Sequence, residues 1–498
     1  MYTVINCQVG VSSGPVFEYF DKITKAGNCL YNATLFRIRQ VLTLTEKPPE
    51  KWTDNEREVY DEILKTLPLM PKKFAMPTKG RSILSYEFLN ALLKASDNPD
   101  YRREGLPIQS AQHVIKDAVR AMKSFRHATK EYYKKPSSFT GKPKLPGYHQ
   151  KGGNSTIILT NQDCVVYPKK DGPGYEVKFP KFDKRMDLGN APITGRLKQV
   201  TIKPNHGIFI VSFVFENSDE NPEFVEPRRI CSIDPGLENL AAITSNIGAP
   251  CLLLKGGVVK SINQLYNKLM ANEASQQTSG TVNKFHMTDK THRICLRRNN
   301  QINDFMQKTA ARIVNWCVEN KIDTIVIGTN RMQKQGINLG HKTNQSFVQV
   351  PFSKLRSLIT YRAERCGIQV IEREESYTSK ASFLDNDFIP TYGVDDKNAH
   401  FSGTRPKRGI YKAKDGTRIN ADLNGSGNIL RKEFPSAFCE DGQVPDFNSV
   451  IIIRHPDYDR ATANRKKQLS VPHIDSKSKL RRLAKKEKRN PSGIELCE

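Results

Sequence analysis

Paired cysteines are absent from this chain. Its ten cysteines are scattered singly through 498 residues, with no C-x-x-C pair and no disulfide-like spacing. That excludes the disulfide-stapled secreted class and leads us to expect a reducing, intracellular compartment. No apolar run is long enough to span a bilayer, and no lipidation signal is evident. Met1 to Pro15 lacks the basic start and apolar middle of a signal peptide, so no membrane partner is expected. Acidic residues are also in short supply: 52 Asp and Glu stand against 78 Lys and Arg, a formal net charge of +26. Such an excess, spread over many segments, attracts polyanions, and nucleic acid is the first candidate partner. The length suffices for two or three domains, each with its own core.

The stretch around which the chain is organised is Arg229 to Thr244, RICSIDPGLENLAAIT. An apolar run ends in Asp234, a Pro-Gly turn follows, and a second apolar run begins at once, as in the first hairpin of an open sheet. A carboxylate at the end of a central strand is costly unless something positive lies beside it, and a divalent cation is a natural partner. Asp before Pro-Gly is also good turn chemistry, so Asp234 alone leaves both readings open. A second acid, Asp422, lies in INADLNGSGNILRK, before a run of small residues and an apolar segment that can continue as a helix. Two such carboxylates with a third between them would form an oxygen cage suited to Mg²⁺.

Along the chain, Met1 to Val11 reads as a strand and Val16 to Leu44 as an amphipathic helix with Arg37 and Arg39 among its polar positions. Glu46 to Lys79 is interrupted and ambiguous. Helix returns at Leu84 to Lys94, and again at Ser110 to Glu131, where Lys116, Arg120, Lys123, Arg126 and Lys130 form a basic face. That face is either simply solvated or bound to nucleic acid. The following stretch, Tyr132 to Gly153, reads as a loop that interleaves Lys142 and Lys144 with Tyr132, Tyr133, Phe139 and Tyr148. Aromatics between cations can stack on unpaired bases, or can merely anchor a linker. From Ser155 to Glu216 short strands split by turns predict a small antiparallel barrel. His292 to Asn320 is a second strong helix, leading into the buried-type strand Ile322 to Gly328, the grammar of an α/β sheet.

Taken in order, SIDPGLENLAAIT, IVIGTN, ESYTSKASF and INADLNGSGNIL resemble the motifs of the transposon-encoded RNA-guided nucleases. These are the TnpB proteins and their eukaryotic Fanzor relatives, close to the type V CRISPR effectors. The resemblance spans nearly the whole chain. It implies α/β, α and β modules together: an RNase H-like RuvC nuclease domain with a split acidic triad, a wedge-like β-barrel and an inserted helical recognition lobe. The domains expected are the first wedge strand at 1–15, the helical lobe at 16–135, the rest of the wedge at 136–227 and RuvC at 228–445. A degenerate zinc-ribbon-like insert is expected at about 376–418, and a basic tail at 446–498. Asn464 to Arg489 in that tail is dense in Lys and Arg and is either an RNA clamp, an import signal or a solvated end.

The chain departs from the family pattern twice. Most of the family has a Glu where this chain has Gly328, and a relocated acid is sought in GIQVIEREESYTSK; Glu375 is preferred and Glu374 is second. At the positions of the ribbon's two C-x-x-C pairs stand Ser382 and Asp385, then Arg405 and Arg408, so no zinc is expected. Asp385 is expected to pair with Arg405 or Arg408, linking the loop arms without metal.

The function implied is that of an RNA-guided DNA endonuclease, partnered by a structured guide RNA and double-stranded target DNA, one monomer per guide. Catalysis would use two Mg²⁺ ions about 3.5 to 4 Å apart, with Mn²⁺ as a substitute. Asp234 would bridge them, with Glu375 and Asp422 completing either side, unless Asp422 only caps the helix after it. Base pairing with the guide would read the sequence, leaving the protein a short flanking motif. The alternatives are a guide-directed binder that no longer cuts and a CRISPR-associated effector derived from TnpB. An unguided resolvase leaves the basic N-terminal half unexplained. Location follows host: nucleoid-associated cytoplasm in a bacterium, nucleus in a eukaryote.

Overall fold

A computed structural model of the protein describes residues 2–456, apart from 83, 102, 191, 218–222, 279–283, 331–344, 346–347, 396–398 and 439–442. Most of the basic tail, including Asn464 to Arg489, therefore lies outside the described residues. The chain divides into two compact units, Met1–Asn221 and Pro222–Glu498.

In the first unit, strand β1 (Tyr2–Val9) precedes helix α1 (Pro15–Leu44), whose opening proline suits a position with no helical N–H partner. Phe20, Ile23, Leu30, Leu35, Ile38 and Val41 form its buried stripe. Arg37 is not solvated: its Nε and Nη2 donate to the two carboxylate oxygens of Glu62 at 2.9 and 2.7 Å. Glu62 belongs to α2 (Asp54–Thr66), the helix within the ambiguous stretch, which a capping box of Thr53 and Glu56 opens. Then come α3 (Tyr86–Ala95) and α4 (Ile108–Lys134). The last turn of α4 absorbs Tyr132 and Tyr133, two residues assigned above to the loop. Six strands follow: β2 (Ile157–Thr160), β3 (Val165–Pro168), β4 (Tyr175–Lys178), β5 (Arg185–Gly189), β6 (Arg196–Asn205) and β7 (Ile208–Glu216).

These strands do not close into the expected barrel. Among the described residues they make a four-stranded sheet, β1-β7-β6-β2, and a separate three-stranded sheet, β3-β4-β5. The apolar face that closure would have buried is covered by α1 instead, with the Phe20 ring edge-on to Phe179 and Phe209. Gly27 admits this approach, because a Cβ there would stand 2.3 Å from Ile157 Cδ1 of β2.

The second unit is built on β8 (Ile230–Asp234), β9 (Asn239–Ser245), β10 (Pro250–Lys255), α5 (Gly257–Gln277), α6 (Asp289–Glu319), β11 (Thr324–Thr329), α7 (Phe352–Glu364) and β12 (Gln369–Glu374). A small antiparallel sheet follows, β13 (Thr404–Lys407), β14 (Ile410–Lys412) and β15 (Arg418–Asn420), then α8 (Ala421–Glu433) and β16 (Asp446–Ile453). The main sheet runs β12-β11-β8-β9-β10-β16, with β9 antiparallel to both neighbours and the other pairings parallel. Asp446–Ile453, assigned above to the tail, thus supplies the sixth strand.

Alternation along the strands sorts the two faces. Cys231 and Ile233 of β8, with Ile325 and Ile327 of β11, pack against the α6 and α7 side. Ile230 and Val326 face Ile429 and Leu430 of α8 on the other side. By the same alternation Ser232, Asp234 and Gly328 belong to the α8 face. The Asn-Gly-Ser-Gly run lies inside α8, one turn in, and serves its close approach to the sheet. Ser426 Oγ donates to the Ser232 carbonyl at 3.0 Å, and Ser232 Oγ donates to the Ser426 carbonyl at 2.7 Å. Thr244 Oγ1 completes this buried cluster 3.0 Å from each hydroxyl.

Candidate active site

Asp234 ends β8 facing α8, where a side chain at 425 would obstruct it: a Cβ on Gly425 would stand 2.5 Å from Asp234 Oδ2. Burial pushes the Asp234 carboxyl well above the usual carboxylate range, and the charges of Glu375 and Asp422 push it further. Arg405 acts in the opposite direction. The turn that follows holds Asp234 in place without drawing on its side chain, through Gly236 N donating to the Asn239 carbonyl at 3.0 Å.

Glu375 comes one residue after β12, anchored by its own N–H to the Thr329 carbonyl at 3.2 Å. Its carboxylate reaches back across the β11–β12 ladder. A Cβ built on Gly328 would stand 2.9 Å from Glu375 Oε2 and 2.6 Å from Ile429 Cδ1. Burial, helped by Glu374 and opposed by Arg356, raises the Glu375 carboxyl to about 7. Glu374 points elsewhere and is engaged: it accepts from Lys432 Nζ at 2.9 Å, Ser376 Oγ at 2.8 Å and Ser376 N at 2.7 Å. The free carboxylate is therefore that of Glu375.

Asp422 stands in the first turn of α8 but does not cap it. The cap is Asn420, whose Oδ1 accepts from Asp422 N at 2.9 Å and Leu423 N at 3.3 Å. Asp422 Oδ2 accepts from Asn239 Nδ2 at 2.6 Å, and Oδ1 lies 4.0 Å from Arg405 Nη2. Beside it opens a cleft of about 620 Å³ lined by Lys255, Arg405, Lys407, Arg408, Glu238, Asn239 and Asp422 among others.

The Asp385 pairing expected above is not made. Arg405 turns to Asp422, and Arg408 approaches Glu238 at 4.0 Å. Asp385 instead accepts from Ser382 Oγ at 2.6 Å and Lys414 N at 3.0 Å. The two arms of the insert are joined by Asp387, which accepts from Ser382 N at 2.7 Å, Ser402 N at 3.0 Å and the Ser402 hydroxyl. A carboxylate with several acceptor sites gathers N–H and O–H donors from both arms, which an arginine, having donors only, cannot do. Sequence reasoning missed Asp387, Lys432 and Asn239, although an Asn four residues from the turn in SIDPGLEN was a readable signal.

On the first unit, Arg120, Lys123, Arg126 and Lys130 are exposed on α4, with Arg120 near Asp117 at 3.1 Å. Lys116 is half-buried, its ammonium 4.6 Å from the Tyr86 ring centre. Tyr132 packs edge-on against Tyr133 and Phe139, while Tyr133 keeps 67% of its surface open with Lys142 5.9 Å from its ring. Lys144 is exposed. Tyr148 is covered on one side by the Arg39 guanidinium at 4.8 Å, and its neighbour His149 stacks on Tyr31 at 3.9 Å. The loop is thus docked on α1 by its aromatics.

Two family models match the chain: the probable transposase OrfB_IS605 over residues 212–333, and the Cas12f1-like TNB domain over 352–429. The chain is TnpB-like. Together the two matched segments carry Asp234, Gly328, Glu375 and Asp422. No curated protein matches the sequence. Solved structures similar to this TnpB-like chain include a Cas12f1–sgRNA–target DNA complex, at 14% identity over 84% of this chain and 82% of that one, with a TM-score of 0.43. Others are the mini-RNA-guided endonuclease CRISPR-Cas phi3, at 10% over 86% and 92% with a TM-score of 0.40, and CasPhi-2 bound to crRNA and phosphorothioate DNA, at 9% over 90% and 92% with a TM-score of 0.34.

Among the described residues, no three His, Cys, Asp or Glu side chains are gathered closely enough to hold a metal ion as they stand. The donor chemistry nonetheless suits a hard cation, since all three acids offer carboxylate oxygen. Burial, and after it the charges of Glu375 and Asp422, lift the Asp234 proton affinity, and such a cation would offset both.

Proposed function

We propose that the protein is an RNA-guided DNA endonuclease that hydrolyses target phosphodiesters at Asp234, Glu375 and Asp422. The observation that carries this reading is the Glu375 carboxylate lying against Gly328, in the space a side chain at 328 would enter. The strand order around it, with the second strand of the sheet reversed, supports an RNase H-like RuvC domain. Asp234, Glu375 and Asp422 would hold Mg²⁺. When bound, Mg²⁺ supplies positive charge at the attacking and leaving oxygens of the displacement.

The rest of the chemistry belongs to the chain. Arg405, Lys407 and Arg408 line the cleft at Asp422 and bind the phosphates on either side of the cut. Lys432, only 4% exposed, fixes the loop after β12 by donating to the Ser376 and Pro390 carbonyls at 3.0 and 3.1 Å, which holds Glu375 in place. The strands of the first unit would form the wedge and α1 to α4 the recognition lobe, with the exposed face of α4, Tyr133, Lys142 and Lys144 on the guide or the heteroduplex. Specificity comes from pairing with the guide, one monomer per guide, in nucleoid-associated cytoplasm or in a nucleus according to host.

The test is to purify the protein with RNA from its native locus and add matched DNA with Mg²⁺. Cutting that is lost in Asp234→Ala and Glu375→Ala and kept in Glu374→Ala supports the assignment. The second reading, a guided binder that does not cut, is favoured by the acids not being gathered around a cation position as they stand. Target binding without cutting selects it, and absence of bound RNA refutes both.

A further inference from the structure

Asn239 opens β9 and is 3% exposed, with both ends of its amide engaged. Its Nδ2 donates to Asp422 Oδ2 at 2.6 Å, and its Oδ1 accepts from Lys255 Nζ at 2.7 Å. The amide has only one workable orientation here, because an ammonium has nothing but donors and an ionised carboxylate nothing but acceptors. Sheet register builds the arrangement. Lys255 is the ladder partner of Asn239, and the β9–β10 register shifts between Leu254 and Lys255. Such a shift re-aims a side chain at a strand end. The adjoining turn is locked by Gly256 N donating to the Glu238 carbonyl at 2.9 Å, and it tolerates no Cβ at 256, which would lie 2.5 Å from the Leu237 carbonyl oxygen.

We propose that Asn239 and Lys255 are positioning residues for Asp422, a two-residue relay that locks its Oδ2 and leaves Oδ1, which Arg405 Nη2 approaches no nearer than 4.0 Å, as the atom offered to a divalent cation. The proposal rests on the nuclease reading above, which takes Asp422 as a cation ligand. Lys255 acts only through Asn239: it holds the amide so that the N–H faces the carboxylate. Removing either residue frees the Asp422 carboxylate to rotate. Partners of this kind typically set metal affinity by about 10- to 100-fold.

The experiment is a Mn²⁺ titration of the full-length protein followed by electron paramagnetic resonance, with Asp234→Ala, Asn239→Ala, Lys255→Met and Lys255→Arg beside the natural sequence. The expected result is binding that Asp234→Ala abolishes, that Asn239→Ala and Lys255→Met weaken by about tenfold or more, and that Lys255→Arg largely restores. Cleavage by the guide-loaded Asn239→Ala and Lys255→Met proteins should then show a raised Mg²⁺ requirement, with the rate recovered at saturating Mg²⁺. Should Asn239→Ala fail to fold, Lys255→Met, which keeps the aliphatic stem, decides the matter. Binding within twofold of the natural protein in Lys255→Met, while Asp234→Ala has lost it, overturns the relay and leaves the nuclease reading standing. Equal binding by the natural protein and Asp234→Ala overturns both.

Discussion

Replacing Glu375 by Gln should make the second unit more stable above neutral pH, and the size of the gain can be worked out from the site. Burial first, then the neighbouring Glu374, raises the Glu375 carboxyl from 4.5 to about 7 in the folded protein, with Arg356 opposing. A carboxyl that holds its proton more tightly when folded stabilises the fold fully below about pH 4.5. That contribution is lost as pH rises through about 7. At about 1.4 kcal/mol per tenfold change in proton affinity the loss is about 3 kcal/mol, and screening at the open side of the residue trims it towards about 1 kcal/mol. Asp234, pushed up by burial and then by the charges of Glu375 and Asp422, loses the first of these repulsions in Glu375→Gln, which adds to the effect in the same direction. Gln cannot ionise, so the Glu375→Gln advantage should grow from near zero at pH 4.5 to about 1 to 3 kcal/mol at pH 8. The assay is urea unfolding in a metal chelator on a Trp52→Phe background, which leaves Trp316, buried in the second unit, as the reporter. Parallel stability profiles across this range would refute the reasoning. Millimolar Mg²⁺ at pH 8 should narrow the difference, since it offsets the repulsion that Gln removes.

Gly425→Ala places a methyl 2.5 Å from the present position of Asp234 Oδ2 and should lower cleavage by about 100-fold with little loss of target binding, measured by gel shift beside cutting. Asp387→Ala should destabilise the insert by about 3 kcal/mol through its lost charge-assisted hydrogen bonds, and Asp385→Ala by less; hydrogen exchange over 376–418 reports both. Chelators should leave the insert's exchange unchanged, because its arms are joined by Asp387, and a chelator-induced rise would refute that role. Moving the acid back by Gly328→Glu with Glu375→Ala should not restore cutting unless Ile429→Ala makes room, because a Cβ at 328 meets Ile429 Cδ1 at 2.6 Å. Cutting by the double variant alone would count against the space argument.

The second unit was legible wherever local chemistry and sheet periodicity agree. The hairpin around Asp234, the helix before β11 and the buried β11 itself follow from apolar runs, turn residues and helical spacing. Glu375 was preferred to Glu374 on position alone; the engagement of Glu374 by Lys432 and Ser376 was not legible in the sequence. The barrel was misread because alternation along β2 to β7 reports one buried face and not what covers it. Here α1 does, from more than a hundred residues earlier in the chain. β16 was missed for a related reason: Asp446–Ile453 becomes a strand by pairing with β10, a partner nearly two hundred residues away. The arginines of the insert were matched to the wrong acid because sequence proximity does not record that Asp422 and Glu238 border the same cleft.

Glycine at 328 and the acid at 375 belong together on steric grounds. β11 and β12 are parallel neighbours, Gly328 opposite Arg373 and Thr329 opposite Glu374, so residue 375 comes one step beyond the paired segment. There its N–H still reaches the Thr329 carbonyl, which extends the ladder by one bond and fixes where the side chain begins. From that point the carboxylate reaches the α8 face of the sheet only by passing over residue 328, and any Cβ there would contest the space with Glu375 Oε2 and Ile429. Glycine at 328 is therefore the steric condition that lets Glu375 reach the face shared with Asp234. The cost appears in the raised proton affinities of Glu375 and Asp234, because two carboxylates are brought into a partly buried site where Arg356 and Arg405 oppose the rise only in part. A fold retains such an arrangement when something else offsets the repulsion, and a divalent cation at these oxygens is the simplest agent that does so.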